Sequence, residues 1–126
     1  MPIGYHIDSA AGMLFIFGDG VITQTERLAA IRAWMSDKAF RPGLKTLCDF
    51  SAAVSAPTLD ELMSIAIFVE ERARQIGRKK LAIVAATDKT FGAARQFKAL
   101  ASTGPLDVNV FSNRREAAAW LEQAGP

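Results

Sequence analysis

The chain has 126 residues, of which 50% are hydrophobic and 22% are charged. This length suits one domain with a real core, and the composition excludes a disordered chain. The formal net charge of +2 is small, and no aromatic residues interleave with the basic clusters, so we expect no nucleic-acid partner. No apolar run approaches the ~18 residues that a membrane crossing needs, so we also expect no transmembrane segment.

The chain begins with two predicted strands. Residues Ile3–Asp8 alternate apolar and polar side chains, which predicts an edge strand with one wet face. Residues Met13–Phe17 are apolar at every position, which predicts a central strand covered on both faces. The turn-like residues 9–12 favour an antiparallel hairpin, and the glycines of residues 18–20 predict a break after it.

Two capping boxes predict the first two helices. Two residue pairs have the spacing of a capping box, in which the N-cap side chain and the side chain of the third helical residue each accept a hydrogen bond from the other residue's backbone N–H. The pairs are Thr23 with Glu26 and Thr58 with Glu61. A helix is therefore predicted to begin at each threonine, with the apolar strand Leu44–Phe50 between them.

The second predicted helix is the longest, and Gly77 is placed to end it in a left-handed conformation. Basic residues from Arg72 to Lys80 are interpreted as charges that complement the carbonyl end of its dipole. At the helical rotation of about 100° per residue, the apolar residues of this helix fall on one side, which predicts a single stripe that faces the core. The stripe contains Leu59, Leu62, Met63, Ala66, Val69, Ala73 and Ile76.

The remainder of the chain continues the alternation of strands and helices. The sequence predicts a strand over Leu81–Ala86 and then a helix from Thr90 to Ala101. The inward residues of this helix are Phe91, Ala94, Phe97 and Ala101. A strand over Val108–Phe111 is predicted next. Asn113 with Glu116 caps a final helix, whose sheet-facing residues are Ala117, Trp120, Leu121 and Ala124. The order β-β-α-β-α-β-α-β-α predicts a single α/β domain over residues 1–126, with one mixed, mostly parallel sheet and an N-terminal antiparallel hairpin.

The chain offers few residues for catalysis or metal binding. His6 is the sole histidine, Cys48 is the sole cysteine, and no glycine-rich phosphate loop or serine-nucleophile motif occurs in the sequence. We therefore expect a non-catalytic protein without a metal or cofactor. Cys48 lies in an apolar run, which favours a buried thiol and a reducing compartment. The N-terminus lacks the layout of a signal peptide, so we expect a cytoplasmic protein.

Polar residues gather at the carboxyl ends of the predicted parallel strands, where open α/β sheets bind their ligands. Turn and helix-cap roles explain most of these residues equally well, but Asp49 is an acid at the end of an apolar strand. Together they are the candidate ligand or partner rim. The rim consists of Asp49, Ser51, Ser55, Thr58, Thr87, Asp88 and Thr90.

The segment Cys48–Leu62 resembles the STAS domain, which is named for sulfate transporters and anti-sigma factor antagonists. The likeness lies in a strand that ends in Asp49-Phe50-Ser51, then a short loop and a long helix. The segments 91–97 and 113–121 resemble uncharacterised bacterial STAS-like proteins. The antagonists carry a phosphorylated serine at the start of the long helix, whereas this chain has Thr58-Leu59-Asp60 there, which argues against a phosphorylation switch.

The resemblance implies a regulatory protein that presents its second helix to a partner. Asp60, Ile67 and Phe68 are the candidate interface residues, because Ile67 and Phe68 fall outside the inward stripe. The leading hypothesis is a non-catalytic interaction module that acts through this helix and its adjoining loops, on a protein partner or on a second copy.

The alternative hypothesis is a carrier of a small hydrophobic ligand or lipid, since the STAS-like fold is also compared with lipid-transfer domains of the CRAL-TRIO type. Under this alternative, several large apolar residues would line a cavity. We interpret them instead as filling the core, a role that methionine often has. These residues are Met13, Phe15, Phe17, Met35, Met63 and Phe97.

Overall fold

A computed structural model describes residues 2–123, which fold around one five-stranded sheet. The strands lie in the spatial order β1-β2-β3-β4-β5, with β1 antiparallel to β2 and all other neighbours parallel. The predicted α/β class, mixed sheet and N-terminal hairpin are therefore confirmed. The strands are β1 (Ile3–Asp8), β2 (Met13–Gly20), β3 (Lys45–Ala53), β4 (Lys79–Val84) and β5 (Leu106–Phe111).

The helices form one thick layer and one thin layer. Successive right-handed crossovers to the next strand in the same direction place their helices on one face of the sheet. The main core accordingly joins that face to the first four helices, and a smaller core lies under the last helix on the other face. The helices are α1 (Gln24–Met35), α2 (Leu59–Glu71), α3 (Ala73–Ile76), α4 (Asp88–Leu100) and α5 (Arg114–Glu122).

The helix starts follow their cap residues. Both predicted capping boxes are present at Thr23 and Thr58, and Asn113 caps α5 through the backbone N–H of Glu116. The prediction that the third long helix begins at Thr90 is wrong. Thr87 is its N-cap, because its hydroxyl accepts a hydrogen bond from the Thr90 backbone N–H three residues later.

The second predicted helix is broken before it reaches Gly77. α2 ends at a cap on Arg72, and α3 adds a single further turn. Gly77 has a φ of 75°, as the glycine pattern predicts, but its ψ of 162° is extended rather than left-handed helical. A Cβ atom at Gly77 would lie 2.7 Å from the backbone N of Gly43, so the close approach of two chain segments also requires glycine there.

The bounds of β2 to β5 differ from those that the sequence pattern predicts. β2 continues through residues 18–20 with a register shift between Phe17 and Asp19, where a break was predicted. β4 begins at Lys79, so the interpretation of Lys79 and Lys80 as charges at a helix end is wrong. The alternation of a strand places Lys79 on the same face as Leu81, and both are buried.

The inward stripe of α2 differs from the predicted one. Leu59 and Met63 are exposed, because the face of the helix that meets the sheet is centred on Leu62 and Val69. In α4, Phe91 is half-buried rather than inward, and Thr90, Ala93, Ala94 and Phe97 are the buried residues. The predicted sheet contact of Ala124 lies outside the described residues.

Candidate ligand-binding cavity

A cavity of about 170 Å³ lies between the sheet and the layer formed by α1, α2 and α4. Its size is close to the ~150 Å³ of an engineered apolar cavity that stays dry and binds benzene. The lining is almost entirely apolar, with side chains from all five strands and from α1 to α4. Seven isoleucines contribute to it, namely Ile3, Ile16, Ile22, Ile31, Ile65, Ile76 and Ile83.

The void follows from the side chains that face each other across it. On β4, alternate residues Leu81 and Ile83 point toward the helices, as does Ala85 just beyond the strand end. On α4, the facing residues Ala93 and Ala94 carry only a methyl group each. Methyl groups opposite a sheet surface fill less space than the larger aliphatic side chains common in cores, and the difference in volume remains open.

Two buried polar groups line the cavity without hydrogen-bond partners. Lys79 is 7% exposed and Trp34 is 4% exposed. Neither Lys79 Nζ nor Trp34 Nε1 has a partner among residues 2–123. The ammonium lies 4.6 Å from the centre of the Trp34 ring, which gives it a favourable contact with an aromatic face.

Burial controls the protonation of both ionisable groups on the sheet side of the cavity. It lowers the pKa of Lys79 to about 8, because desolvation disfavours the charged ammonium. It raises the pKa of the Cys48 thiol to about 12, because desolvation disfavours the thiolate. Cys48 is therefore a neutral thiol at pH 7 and supplies no counter-charge to Lys79.

The cavity reaches the surface between α1 and α2. All the half-buried lining residues belong to α1, to the end of β3, to the loop after it or to α2. Arg27 on α1 and Glu61 on α2 form an ion pair of 3.7 Å at this mouth, and Gln24 Nε2 donates to the Glu61 carbonyl. The half-buried lining residues are Arg27, Ile31, Phe50, Ser55, Pro57 and Ile65.

Two residues of the candidate rim line this cavity. Ser55 is half-buried, and its Oγ accepts a hydrogen bond from the backbone N–H of Ile22. Thr90 is buried, with its Oγ1 2.8 Å from the hydroxyl of Thr87. Thr58 and Thr87 serve as helix caps, and Asp88 is exposed in the first turn of α4.

The other two rim residues lie on the opposite face of the sheet. The Asp49 carboxylate accepts hydrogen bonds from the backbone N–H and the hydroxyl of Ser51, at 3.0 and 2.6 Å. It also lies 3.7 Å from Arg114 at the start of α5. Local hydrogen bonds and an exposed ion pair therefore account for Asp49, and its position is separated from the cavity by the sheet.

The candidate interface residues differ in exposure. Asp60 is exposed, and Ile67 is 55% exposed. Phe68 is half-buried, because the guanidinium groups of Arg32 and Arg72 lie 5.1 and 3.5 Å from the centre of its ring. Phe68 lies outside the inward stripe, but two arginine side chains cover part of it. The exposed apolar row on α2 consists of Leu59, Met63 and Ile67.

Sequence reasoning missed the two most unusual cavity residues, Lys79 and Trp34. The signal for Lys79 was its period-two spacing with Leu81 and Ile83, but a cluster of neighbouring basic residues favoured a solvated helix end. Trp34 stands one residue from Met35, which was assigned to the inward face instead. Of the methionines and phenylalanines that the carrier hypothesis singled out, only Phe97 lines the cavity.

Within residues 2–123, no group of three or more His, Cys, Asp or Glu side chains is arranged to hold a metal ion. None of the helices in that range has the length and apolar character needed to cross a membrane.

Comparisons with known proteins identify the fold. No protein-family model matches the chain, and no curated protein matches it. Among solved structures, it is similar to an uncharacterized protein of the DUF3478 family with a SpoIIAA-like fold, from Shewanella loihica PV-4. The TM-score is 0.59 at 16% sequence identity, over 94% of this chain and 91% of that chain. This protein therefore has a SpoIIAA-like, and hence STAS-like, fold.

Proposed function

We propose that this protein binds a small apolar ligand in the cavity between the sheet and the helix layer. The observation that carries the proposal is the cavity itself, about 170 Å³ in volume with a lining that is almost wholly apolar. Apolar pockets with a few placed polar groups are the usual form of small-molecule sites. Lys79 and Trp34 supply such polar groups here.

The cost of an empty cavity favours its occupancy by a ligand. At ~24 cal/mol per Å³, an empty cavity of this size costs a folded protein about 4 kcal/mol. A ligand that fills the space recovers dispersion contacts and removes its own apolar surface from water. The mouth between α1 and α2 gives such a ligand a route, gated by side chains of Arg27 and Glu61.

Methyl NMR with a neutral probe tests the proposal. With isoleucine methyl labelling, 1-hexanol should shift the lining residue Ile83 while leaving the exposed Ile67 unchanged. Filling the cavity by Ala94→Leu should abolish the shift at Ile83. The matched control is Ala99→Leu on the exposed face of α4, which should leave binding intact. Absence of any shift in the unmodified protein would refute the proposal.

A second candidate function is self-association through α2. The row formed by Leu59, Met63 and Ile67 repeats every four residues, so the three side chains share one face of the helix, and they are 52%, 43% and 55% exposed. Such a face suits a second copy of the chain, which would cover it with the same row. Sedimentation should then show a dimer that Ile67→Asp converts to a monomer, with Gln75→Asp as an exposed control. A monomeric unmodified protein would exclude this function.

A cytoplasmic location is part of the proposal. The single cysteine, Cys48, is free and buried, as the reducing conditions of the cytoplasm favour.

A further inference from the structure

The charges around the cavity are unbalanced. The ionisable residues in its lining are Arg27, Cys48 and Lys79, and no aspartate or glutamate is among them. Arg27 is paired with Glu61 at the mouth, and Cys48 is a neutral thiol at pH 7. Lys79 is thus a buried cation whose lining offers no anion, an arrangement that proteins ordinarily avoid because an unpaired buried charge is costly.

Two buried hydrogen-bond donors, on Lys79 and Trp34, constrain the chemical group of a ligand that would bind beside them. Lys79 Nζ and Trp34 Nε1 are both buried and both lack an acceptor among residues 2–123. The ammonium is 4.6 Å from the centre of the indole ring, so the two donor side chains are neighbours in the cavity lining. A planar acceptor with two oxygens is the group that would serve two such donors. A carboxylate has that geometry and a single negative charge, which matches one lysine, whereas a phosphate dianion would remain half uncompensated.

The remaining lining residues limit the size and polarity of the rest of the ligand. The remaining lining is apolar, and the volume of about 170 Å³ compares with a cavity of ~150 Å³ that holds benzene. That space suits a chain or ring of about six to eight carbons and is far too small for a two-chain lipid.

Resting on the function proposed above, we propose that the cavity binds a small aliphatic or aromatic monocarboxylic acid as its anion, with Lys79 Nζ and Trp34 Nε1 donating to the carboxylate. The apolar body lies against the isoleucine lining, and the ion pair forms inside the protein. Neutral molecules of the same size bind more weakly, because they leave the ammonium without an anion.

Calorimetric titration with two matched probes tests this assignment. Hexanoate and 1-hexanol share the same carbon chain and differ in charge. Hexanoate should bind at least tenfold more tightly, the factor expected for a buried hydrogen bond to a charged group. Lys79→Met should remove this preference, so that hexanoate and hexanol bind with similar affinity. The control Lys80→Met should keep the preference, because the Lys80 ammonium donates to the carbonyls of Trp120 and Gln123 and lies outside the cavity lining.

Two readouts do not depend on the stability of the lysine variant. In the unmodified protein, hexanoate stays ionised above pH 6, so its affinity should fall as pH rises past the pKa of Lys79 in the free protein, about 8. Cys48 and Arg27 are the other ionisable lining groups, and both keep one protonation state from pH 6 to 9. Trp34→Phe, which removes the indole N–H, should reduce the ratio of hexanoate affinity to hexanol affinity severalfold.

The outcomes separate this inference from the proposed function. If neither probe binds, the proposed function fails. If both bind equally, or if Lys79→Met keeps the preference, the carboxylate assignment fails and the apolar cavity stands. If Arg27→Met alone removes the preference, the anion is held at the mouth, and the assignment to Lys79 is wrong.

Discussion

The Lys79 ammonium lies 4.6 Å from the centre of the Trp34 ring, with both residues buried on the wall of the same cavity. A cation over an indole face gains up to ~2 kcal/mol when it is desolvated. This contact offsets part of the cost of burying the charge but leaves the ammonium hydrogens without acceptors among residues 2–123. The pair therefore links the stability of the empty protein to the chemistry of the proposed ligand.

The first prediction concerns the dependence of stability on pH in a Cys48→Ala background. Below pH 8, Lys79 is protonated in both folded and unfolded states, and its burial penalty is fully present. Between pH 8 and ~10.4, the folded protein releases a proton that the unfolded chain retains. The free energy of unfolding should therefore rise by up to ~1.4 kcal/mol per pH unit, as measured by urea denaturation from pH 7 to 9.5.

The Cys48→Ala background is needed because the cysteine acts in the opposite direction. Its folded pKa of about 12 exceeds the ~8.5 of an unfolded cysteine, so it removes stability as pH rises above 8.5. Tyr5, whose pKa is also raised by its hydrogen bond to Asp37, acts in that direction only above pH 10. A flat profile in Cys48→Ala up to pH 9.5 would contradict a depressed Lys79 pKa.

The second prediction is that Lys79→Met stabilises the ligand-free protein. Methionine has a similar length and no charge, so it removes the desolvation penalty of Lys79 without a large change in volume. The depressed pKa of about 8 corresponds to a gain on the order of 1–3 kcal/mol at pH 7. Thermal and urea unfolding at pH 7 measure the gain. Lys80→Met should not raise stability, since it loses the bonds to the Trp120 and Gln123 carbonyls, and a loss of stability in Lys79→Met would contradict the account.

The third prediction contrasts two glycines. Gly77→Ala should destabilise the protein by ~2 kcal/mol or more, because φ is 75° and the new Cβ would lie 2.7 Å from Gly43 N and 2.8 Å from Pro42 Cβ. Gly92→Ala should stabilise it by up to ~1 kcal/mol, because Gly92 lies within α4 and a Cβ there meets no atom within 4 Å. Urea denaturation of both variants measures the two changes, and equal effects would show that the backbone at Gly77 is unstrained.

The fourth prediction concerns the contact of Tyr5 with Asp37, which joins β1 to the residues after α1. The Tyr5 hydroxyl donates to Asp37 Oδ2 at 2.7 Å, and this bond together with the Ala39 backbone N–H lowers the pKa of Asp37. Tyr5→Phe should raise the Asp37 pKa toward its ordinary value, as carboxyl carbon shifts in an NMR titration would show.

Because the pKa of Asp37 is lowered in the folded protein, the ionised form of Asp37 stabilises the fold. The contribution of Asp37 is present above the unfolded pKa of ~3.9 and is lost as pH falls through the folded pKa. The difference in stability between the unmodified protein and Tyr5→Phe should therefore be present at pH 6 and shrink in acid. A difference that does not shrink at any acidic pH at which both proteins remain folded would assign the bond a purely structural role.

Most of the fold could be predicted from local signals in the sequence. Cap spacing located the starts of the helices capped by Thr23, Thr58 and Asn113. Alternation located the first strand and apolar runs located the other four, because all these signals depend on residues close together in the chain. The break at Arg72 carried no Gly or Pro signal.

The cavity could not be predicted in the same way. It depends on which side chains face each other across the sheet and the helices, such as Ala93 and Ala94 opposite β4. Composition does not reveal whether such an arrangement fills its space. Lys79 was the one accessible clue, since a lysine in phase with Leu81 and Ile83 belongs to the core face of a strand.

The central claim is that a small carboxylate enters the cavity and reaches the Lys79–Trp34 pair. The indole N–H signals in a ¹H–¹⁵N spectrum test it most directly, because the chain has two tryptophans and Trp120 lies on the other face of the sheet as an internal reference. Saturating hexanoate at pH 7 should move the Trp34 signal downfield, as a new hydrogen bond requires, and leave Trp120 in place. A Trp34 signal that does not move, or one that moves together with Trp120, would contradict the account.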